Sequence, residues 1–489
     1  MIWTRMIGRG ICALVSAALA TIWIGSAEAR AAPLTAAEPV SFSDCHVGRR
    51  QIPGRCANFR VPEDRSNPKS RWLSLKVIIL PSTTPNPAEP VFLLVGGPGQ
   101  AATDAAGDPS LAWMHQGHDL VMMDFRGSGD GSRLDCPFAN GDVQAFVTPL
   151  FGEAPAFWAE CARRLAATAD LRLYTTPAAL QDMDELRQRL GADQIDIVGA
   201  SYGTRAAIAY THAYPGRVHA ELLTGVLPLT NRTPLNHASA AQHTLDLTIA
   251  ECERDAACHA AFPDPVGDLR IVLETLRAAP AKVTLHDPKS GAATELTLDA
   301  EAFAEGVRVR LYEVGSARRL PLLLRNARAG DYAPFAQAAL DSGCGGRSFI
   351  PLGMLLSFTC SEDVSRIDPA EIAAATARTF VGDQRVRGQM AACSAWPKAR
   401  LAPSYFKPFS SQVPVLLVSG LHDPVTPPEW GEEALKTFPR GVHMITNGAH
   451  ADITPCVEML AAALFRSGTL SKRDTRCSQE ADPPSFALN

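Results

Sequence analysis

The sequence predicts an α/β fold: a mostly parallel, doubly wound sheet interrupted by a largely helical insertion. Three observations lead there. Val91-Phe92-Leu93-Leu94-Val95 and Leu120-Val121-Met122-Met123 are continuous apolar runs of strand length, as expected for strands buried on both faces. Strand-like and helix-like segments alternate before about residue 228 and again from about residue 402. Between 229 and 401 the pattern is largely helical, Ala-rich and dotted with cysteines.

The first 29 residues stand apart. Arg5 and Arg9 precede the apolar run Ile11 to Gly25, and Ser26-Ala27-Glu28-Ala29 follows as a small-residue cleavage signal. Basic flank, short apolar core and A-x-A site describe a secretory signal peptide. The run is shorter than the ~20 residues a membrane span needs, so no stable span is expected once it is removed. From Ala57 to Leu80 two strands are expected around the turn Pro62 to Pro68, with the runs at 91 and 120 next. Leu180, Met183, Leu186 and Leu190 share one face of a helix over 178–190 that starts after Thr176-Pro177. The strand Ile195–Val198, a helix from Thr204 to Tyr214 and the strand Val218–Leu223 complete a first core part, 45–228. A lid or cap over 229–401 follows. The final part, 402–489, contains strands Val413–Ser419 and Val442–Thr446, a helix near Glu429 to Phe438 and a last helix, Thr454–Arg466.

The 489 residues are 46% hydrophobic and 20% charged, with a net charge of -5. No broad basic surface is implied, which argues against nucleic acid as a partner. Of 12 cysteines, Cys12 lies in the signal segment. The others include neighbours in sequence that could close short loops in an oxidising compartment: Cys45 and Cys56, Cys136 and Cys161, Cys252 and Cys258, Cys360 and Cys393, Cys456 and Cys477, with Cys344 left over. With no C-x-x-C or H-E-x-x-H in the chain, no metal site is expected.

Gly199-Ala200-Ser201-Tyr202-Gly203 fits G-x-S-x-G, between a buried-type strand and a helix. Such a serine sits on a cramped strand-to-helix turn, whose neighbours two residues away must be small. Its hydroxyl is a weak nucleophile and needs a base with an orienting partner. Asp423, after the strand Val413–Ser419, and His450, after the last strand, follow in the order Ser, Asp, His. Both occupy carboxyl ends of strands, where open α/β sheets bind ligands. His422 adjoins Asp423 and His443 lies within a strand, so both are weaker candidates. An oxyanion hole is expected from the backbone N–H of Tyr202 and from the Gly96-Gly97-Pro98-Gly99 loop, through Gly96 and Gly97. Asp124 and Arg126 are read as braces for neighbouring loops.

Together, Gly96-Gly97-Pro98-Gly99, Asp124-x-Arg126-Gly127-x-Gly129, Gly199-x-Ser201-Tyr202-Gly203 and Asp423-Pro424-Val425-Thr426-Pro427 resemble the prolyl iminopeptidase and tripeptidyl aminopeptidase family of α/β-hydrolases. The resemblance spans about residues 45–489, and Leu401 to Cys477 resembles the C-terminal region of its exported members. It implies a serine aminopeptidase, periplasmic or secreted, that works on peptide N-termini without a cofactor. The family often has His before Gly-Gly-Pro-Gly; here the residue is Val95. Related exported enzymes look similar at Cys360-Ser361-Glu362-Asp363, which marks Glu362, ahead of Asp363, as the partner of a substrate α-amine. Two other readings share these motifs: a carboxylesterase or lipase of small acyl esters, and a non-catalytic binding protein on the same fold.

Overall fold

The computed structural model describes residues 40–136, 150–286, 293–341, 350–470 and 483–489. The expected signal peptide, 1–29, lies outside them. Eleven strands are formed among the described residues: β1 (Ser43–Val47), β2 (Ile52–Pro62), β3 (Trp72–Leu80), β4 (Val91–Leu94), β5 (Leu120–Met123), β6 (Ile195–Ala200), β7 (Val218–Thr224), β8 (Ala281–His286), β9 (Ala293–Leu298), β10 (Val415–Gly420) and β11 (Val442–Thr446). Nine make one sheet in the order β1-β2-β3-β5-β4-β6-β7-β10-β11. Pairing is antiparallel from β1 to β5 and parallel from there to β11.

The apolar runs form strands because both faces of the sheet are covered. Leu75, Val77, Ile79, Phe92, Leu94, Val121 and Met123 enter one core. Their neighbours Ile78, Leu80, Val91, Leu93, Leu120 and Met122 enter a second core on the opposite face. Period-two alternation therefore sends every residue of β4 and β5 into an apolar layer. Each such side chain contributes about 1.5–3 kcal/mol on full burial.

The chain leaves the sheet after β7 and returns at β10. In between lie the helices His237–Arg254, Pro265–Ala278, Ala300–Arg310, Leu352–Glu362 and Gln384–Ser394, with shorter ones among them. Part of this segment has its own core, centred on Phe303, Val307, Leu320 and Leu324. The antiparallel hairpin β8–β9 departs from the expected helical pattern. It is half-buried, with Val283, Leu285, Leu296 and Leu298 turned into the insertion's core. Four of the expected cysteine pairs are disulfides: Cys45–Cys56, Cys136–Cys161, Cys252–Cys258 and Cys360–Cys393. Cys477 and Cys344 lie outside the described residues. Among the described residues no helix is long and apolar enough to cross a membrane.

The segment after β5 braces the sheet. Asp124 accepts hydrogen bonds from the backbone N–H and hydroxyl of Thr103, at 2.9 and 3.0 Å. Arg126 grips Asp182 with Nε and Nη2, at 2.7 and 2.8 Å, and its Nη1 donates to the carbonyls of Glu63 and Leu173. Both partners are buried. Breaking such a pair by removing one member typically costs ~3–5 kcal/mol, because the other charge is stranded. Asp182→Ala is expected to lower the unfolding free energy by about that amount, read from urea transitions; a loss below ~1 kcal/mol would show that Arg126 does not need this partner.

Candidate active site

The site is built on the turn between β6 and the helix Tyr202–Ala213. Ser201 has φ 55° and ψ -123°, a conformation rarely adopted by residues with a side chain. Sterics explain the flanking glycines. A Cβ on Gly203 would lie 2.0 Å from the Leu94 carbonyl oxygen, and one on Gly199 would lie 2.9 Å from the Gly203 carbonyl oxygen. The helix therefore starts hard against β4, and the serine is lifted off the sheet end. The Ser201 N–H donates to the Thr224 carbonyl at 2.9 Å, and Thr204 donates back to the Ser201 carbonyl.

His450 Nε2 lies 2.9 Å from Ser201 Oγ. Its Nδ1 lies 2.9 and 3.0 Å from the Asp423 oxygens. A carboxylate accepts, so Nδ1 carries the proton and Nε2 is left to accept from the serine. Asp423 is itself held in place. Val425 N–H and Thr426 N–H donate to its Oδ1, both at 2.8 Å, and the Thr426 hydroxyl donates to Oδ2 at 2.7 Å. These contacts explain the Asp423-Pro424-Val425-Thr426 sequence: the loop folds back on its own carboxylate. The rival histidines are engaged elsewhere. His422 Nε2 meets Glu251 at 2.7 Å, and His443 Nε2 meets Ser419 Oγ at 3.0 Å.

Gly96 lies beside the serine: a Cβ there would come 3.3 Å from Ser201 Cβ and 3.6 Å from Oγ. Its N–H donates to Gln100 Oε1 at 3.0 Å. Gly97 has φ 117°, where a Cβ would come 2.5 Å from the Gly99 nitrogen. Tyr202 is the first residue of its helix, and N–H groups at that end have no intrahelical acceptor.

Glu362 and Asp363 are both buried, at 1% and 3% exposure. Glu362 accepts from Thr176 N–H at 2.6 Å, from the Thr176 hydroxyl at 2.7 Å and from the Tyr405 hydroxyl at 3.1 Å. Thr176 Oγ1 in turn lies 2.5 Å from the Tyr202 hydroxyl. Asp363 is spent on Arg205, at 2.6 Å, in the helix that follows Ser201. Neither acid stands as a free anion. Together they fasten the insertion to the serine turn.

Sequence reasoning missed Tyr312. Its carbonyl accepts from His450 N–H at 3.3 Å, and its ring meets the imidazole edge-on, with centroids 5.1 Å apart. Arg308 holds the Tyr312 hydroxyl at 2.9 Å and pairs with Glu305 at 2.6 Å. Glu305 also receives Arg385 at 3.0 Å. The two arginines hold the Glu305 carboxyl near 2, although burial opposes its charge. The segment Arg308-Val309-Arg310-Leu311-Tyr312, where a helix gives way to a turn, has no motif that would announce contact with a histidine 138 residues later.

A family model described as alpha/beta hydrolase fold matches residues 89–259, and one described as TAP-like protein matches residues 378–477. Serine protease Hip1 of Mycobacterium tuberculosis is 23% identical to this chain, over 94% of it and 96% of Hip1. Tripeptidyl aminopeptidase of Streptomyces lividans is 25% identical, over 93% of this chain and 90% of its own. Carboxylesterase B of Mycobacterium tuberculosis is 26% identical, over 87% and 86%.

Burial pushes Glu362, and Glu221 in β7, from the ordinary 4.5 up to about 7. Between those values each is neutral in the fold and charged in the unfolded chain. Their contribution to stability is complete below about pH 4.5 and is lost as the pH rises through about 7. The unfolding free energy is expected to decline between about pH 5 and 8, with a shallower decline in the double variant Glu221→Gln/Glu362→Gln. An unchanged slope in urea titrations of that variant would assign the decline to other groups.

Proposed function

Since the chain belongs to the α/β-hydrolases and carries a TAP-like C-terminal region, we propose that it is an exported serine aminopeptidase that releases residues from peptide N-termini through an acyl-enzyme. The observation that carries the reading is the unbroken hydrogen-bonded line from Asp423 through His450 to Ser201. Ser201 Oγ attacks the scissile carbonyl as His450 Nε2 takes its proton, and Asp423 stabilises the imidazolium. The developing oxyanion is received by the N–H groups of Tyr202 and Gly97. His450 returns the proton to the leaving amine, water enters, and a second cycle of the same groups frees the acyl product. No step requires a cofactor.

The insertion over 229–401 acts as a lid that limits access to chain ends. Asp363 is committed to Arg205, so Glu362 is the candidate for the substrate α-amine. An arriving ammonium would favour the carboxylate form that burial opposes in the empty site. Export is supported by the signal-type segment before residue 30 and by four disulfides. Whether one residue (proline among the candidates) or a tripeptide leaves is decided by the substrate panel below. Esterase activity on small acyl esters is the second reading, favoured by the similarity to a carboxylesterase.

Labelling by a fluorophosphonate probe is expected in the wild type and absent in Ser201→Ala, whose turnover should fall by at least ~10⁴-fold. A panel of aminoacyl-, prolyl- and tripeptidyl-anilides beside p-nitrophenyl esters separates the two readings: turnover of esters alone would reject the peptidase. Glu362→Gln should raise KM for substrates with a free α-amine and leave N-acetylated or simple esters unchanged. His450→Ala should lower turnover about as far as Ser201→Ala, because the serine proton then has no acceptor; an unchanged rate would argue against His450 as the base.

A further inference from the structure

We propose a second site, for a divalent ion of the zinc class, built from Glu89, Asp196 and His219 at the end of the sheet remote from Ser201. Asp196 is the second residue of β6, five residues before Ser201. At about 3.3 Å per residue the two sites are ~17 Å apart. A register shift between β6 and β7 falls at Ile195/Asp196. Irregularities of this kind re-aim a side chain, and here Asp196 faces His219 of the neighbouring strand.

Asp196 has no solvent exposure. Its Oδ1 receives His219 Nδ1 at 2.9 Å. Its Oδ2 has no hydrogen-bond partner among the described residues. His118 Nδ1 lies nearby, 3.6 Å from Oδ2, but donates to the Glu89 carbonyl at 2.8 Å instead. A buried carboxylate oxygen left unpartnered is costly. A second carboxylate, that of Glu89, points to the same place: one ligand atom each from Glu89, Asp196 and His219 lie within 4.8 Å of one another. Two acids and one imidazole around an orphaned oxygen form a donor set that lacks a cation.

The chemistry selects the ion. Imidazole with carboxylates suits zinc and its neighbours in the transition series, whereas calcium and magnesium prefer oxygen alone. Ligand atoms ~2.0–2.1 Å from a tetrahedral zinc stand about 3.4 Å apart, so three atoms already within 4.8 Å of one another need only a modest side-chain adjustment. Glu89 can supply this movement, being half-buried at the end of the Pro-rich segment before β4. A water completes the fourth position. An entry path exists, because His219 also lines an open groove beside Arg440, Phe409 and Pro414. The bound ion would staple that segment to β6 and β7, so its effect is on stability rather than turnover. The expectation of no metal rested on motifs; these three ligands come from three separate segments and form none.

Calorimetric titration of the chelator-treated full chain with zinc chloride tests the site. One equivalent is expected to bind, and Glu89→Gln and His219→Gln should each weaken binding at least tenfold, as even outer-shell losses cost ~10–100-fold. Zinc should also raise the thermal midpoint of the wild type and leave both variants unmoved, their cooperative transitions showing that they are folded. Equal binding by the wild type and both variants, or no binding up to millimolar zinc, would overturn the proposal.

Discussion

The close approach of Gly203 to the Leu94 carbonyl governs the geometry of the site. Without a side chain at Gly203, the helix Tyr202–Ala213 can begin directly against β4, and Ser201 must then take φ 55°. Holding a residue in such a region costs ~1–3 kcal/mol. The cost is offset locally by the Ser201–Thr224 and Thr204–Ser201 backbone bonds and by the burial of Ala206, Ala207, Ile208 and Tyr210 along the helix. One steric contact thus sets where the hydroxyl stands. Asp423 and His450, from loops after β10 and β11, are brought to it by parallel strands whose carboxyl ends lie on one edge.

The insertion is attached to this centre by apolar packing and by polar contacts: Leu352, Met354, Leu356 and Phe358 join the core on one face of the sheet, and buried polar groups orient them. Glu362 reaches Tyr202 through Thr176, and Asp363 holds Arg205. Tyr312, also in the insertion, meets His450 edge-on. Buried polar joints of this kind contribute little net stability compared with apolar packing, yet removing one partner is expensive. They fix orientation more than strength. That suits a segment held in one placement beside Ser201.

Much of this was legible in the sequence because it depends on short-range pattern. Strands buried on both faces show as unbroken apolar runs, and β5 occupies Leu120–Met123 as read. The serine turn shows as two glycines around Ser201, and the order Ser201, Asp423, His450 follows from strand ends. Contacts between distant positions were not legible. Thr176 and Glu362 are 186 residues apart, and nothing in either neighbourhood signals the other, so the hydrogen bonds that hold this acid could not be read in advance. The Gln100 side chain capping Gly96 is a four-residue contact, hidden because a glutamine after Gly-Gly-Pro-Gly has many conformations open to it. The hairpin β8–β9 was masked by the Ala-rich helices around it.

The disulfides have a consequence for how the chain matures. Each of the four joins cysteines 6 to 33 residues apart, and none ties the insertion to the sheet. A chain delivered from its N-terminus meets each partner before the next pair arrives. Cys45 closes with Cys56, Cys136 with Cys161 and Cys252 with Cys258, each with the cysteine nearest to it in sequence. Three loops can therefore close in the order in which they emerge, whereas Cys360 must pass over the nearer Cys344 to reach Cys393. Since each of these four bridges stays within the sheet-bearing part or within the insertion, none of the four fixes how the two dock.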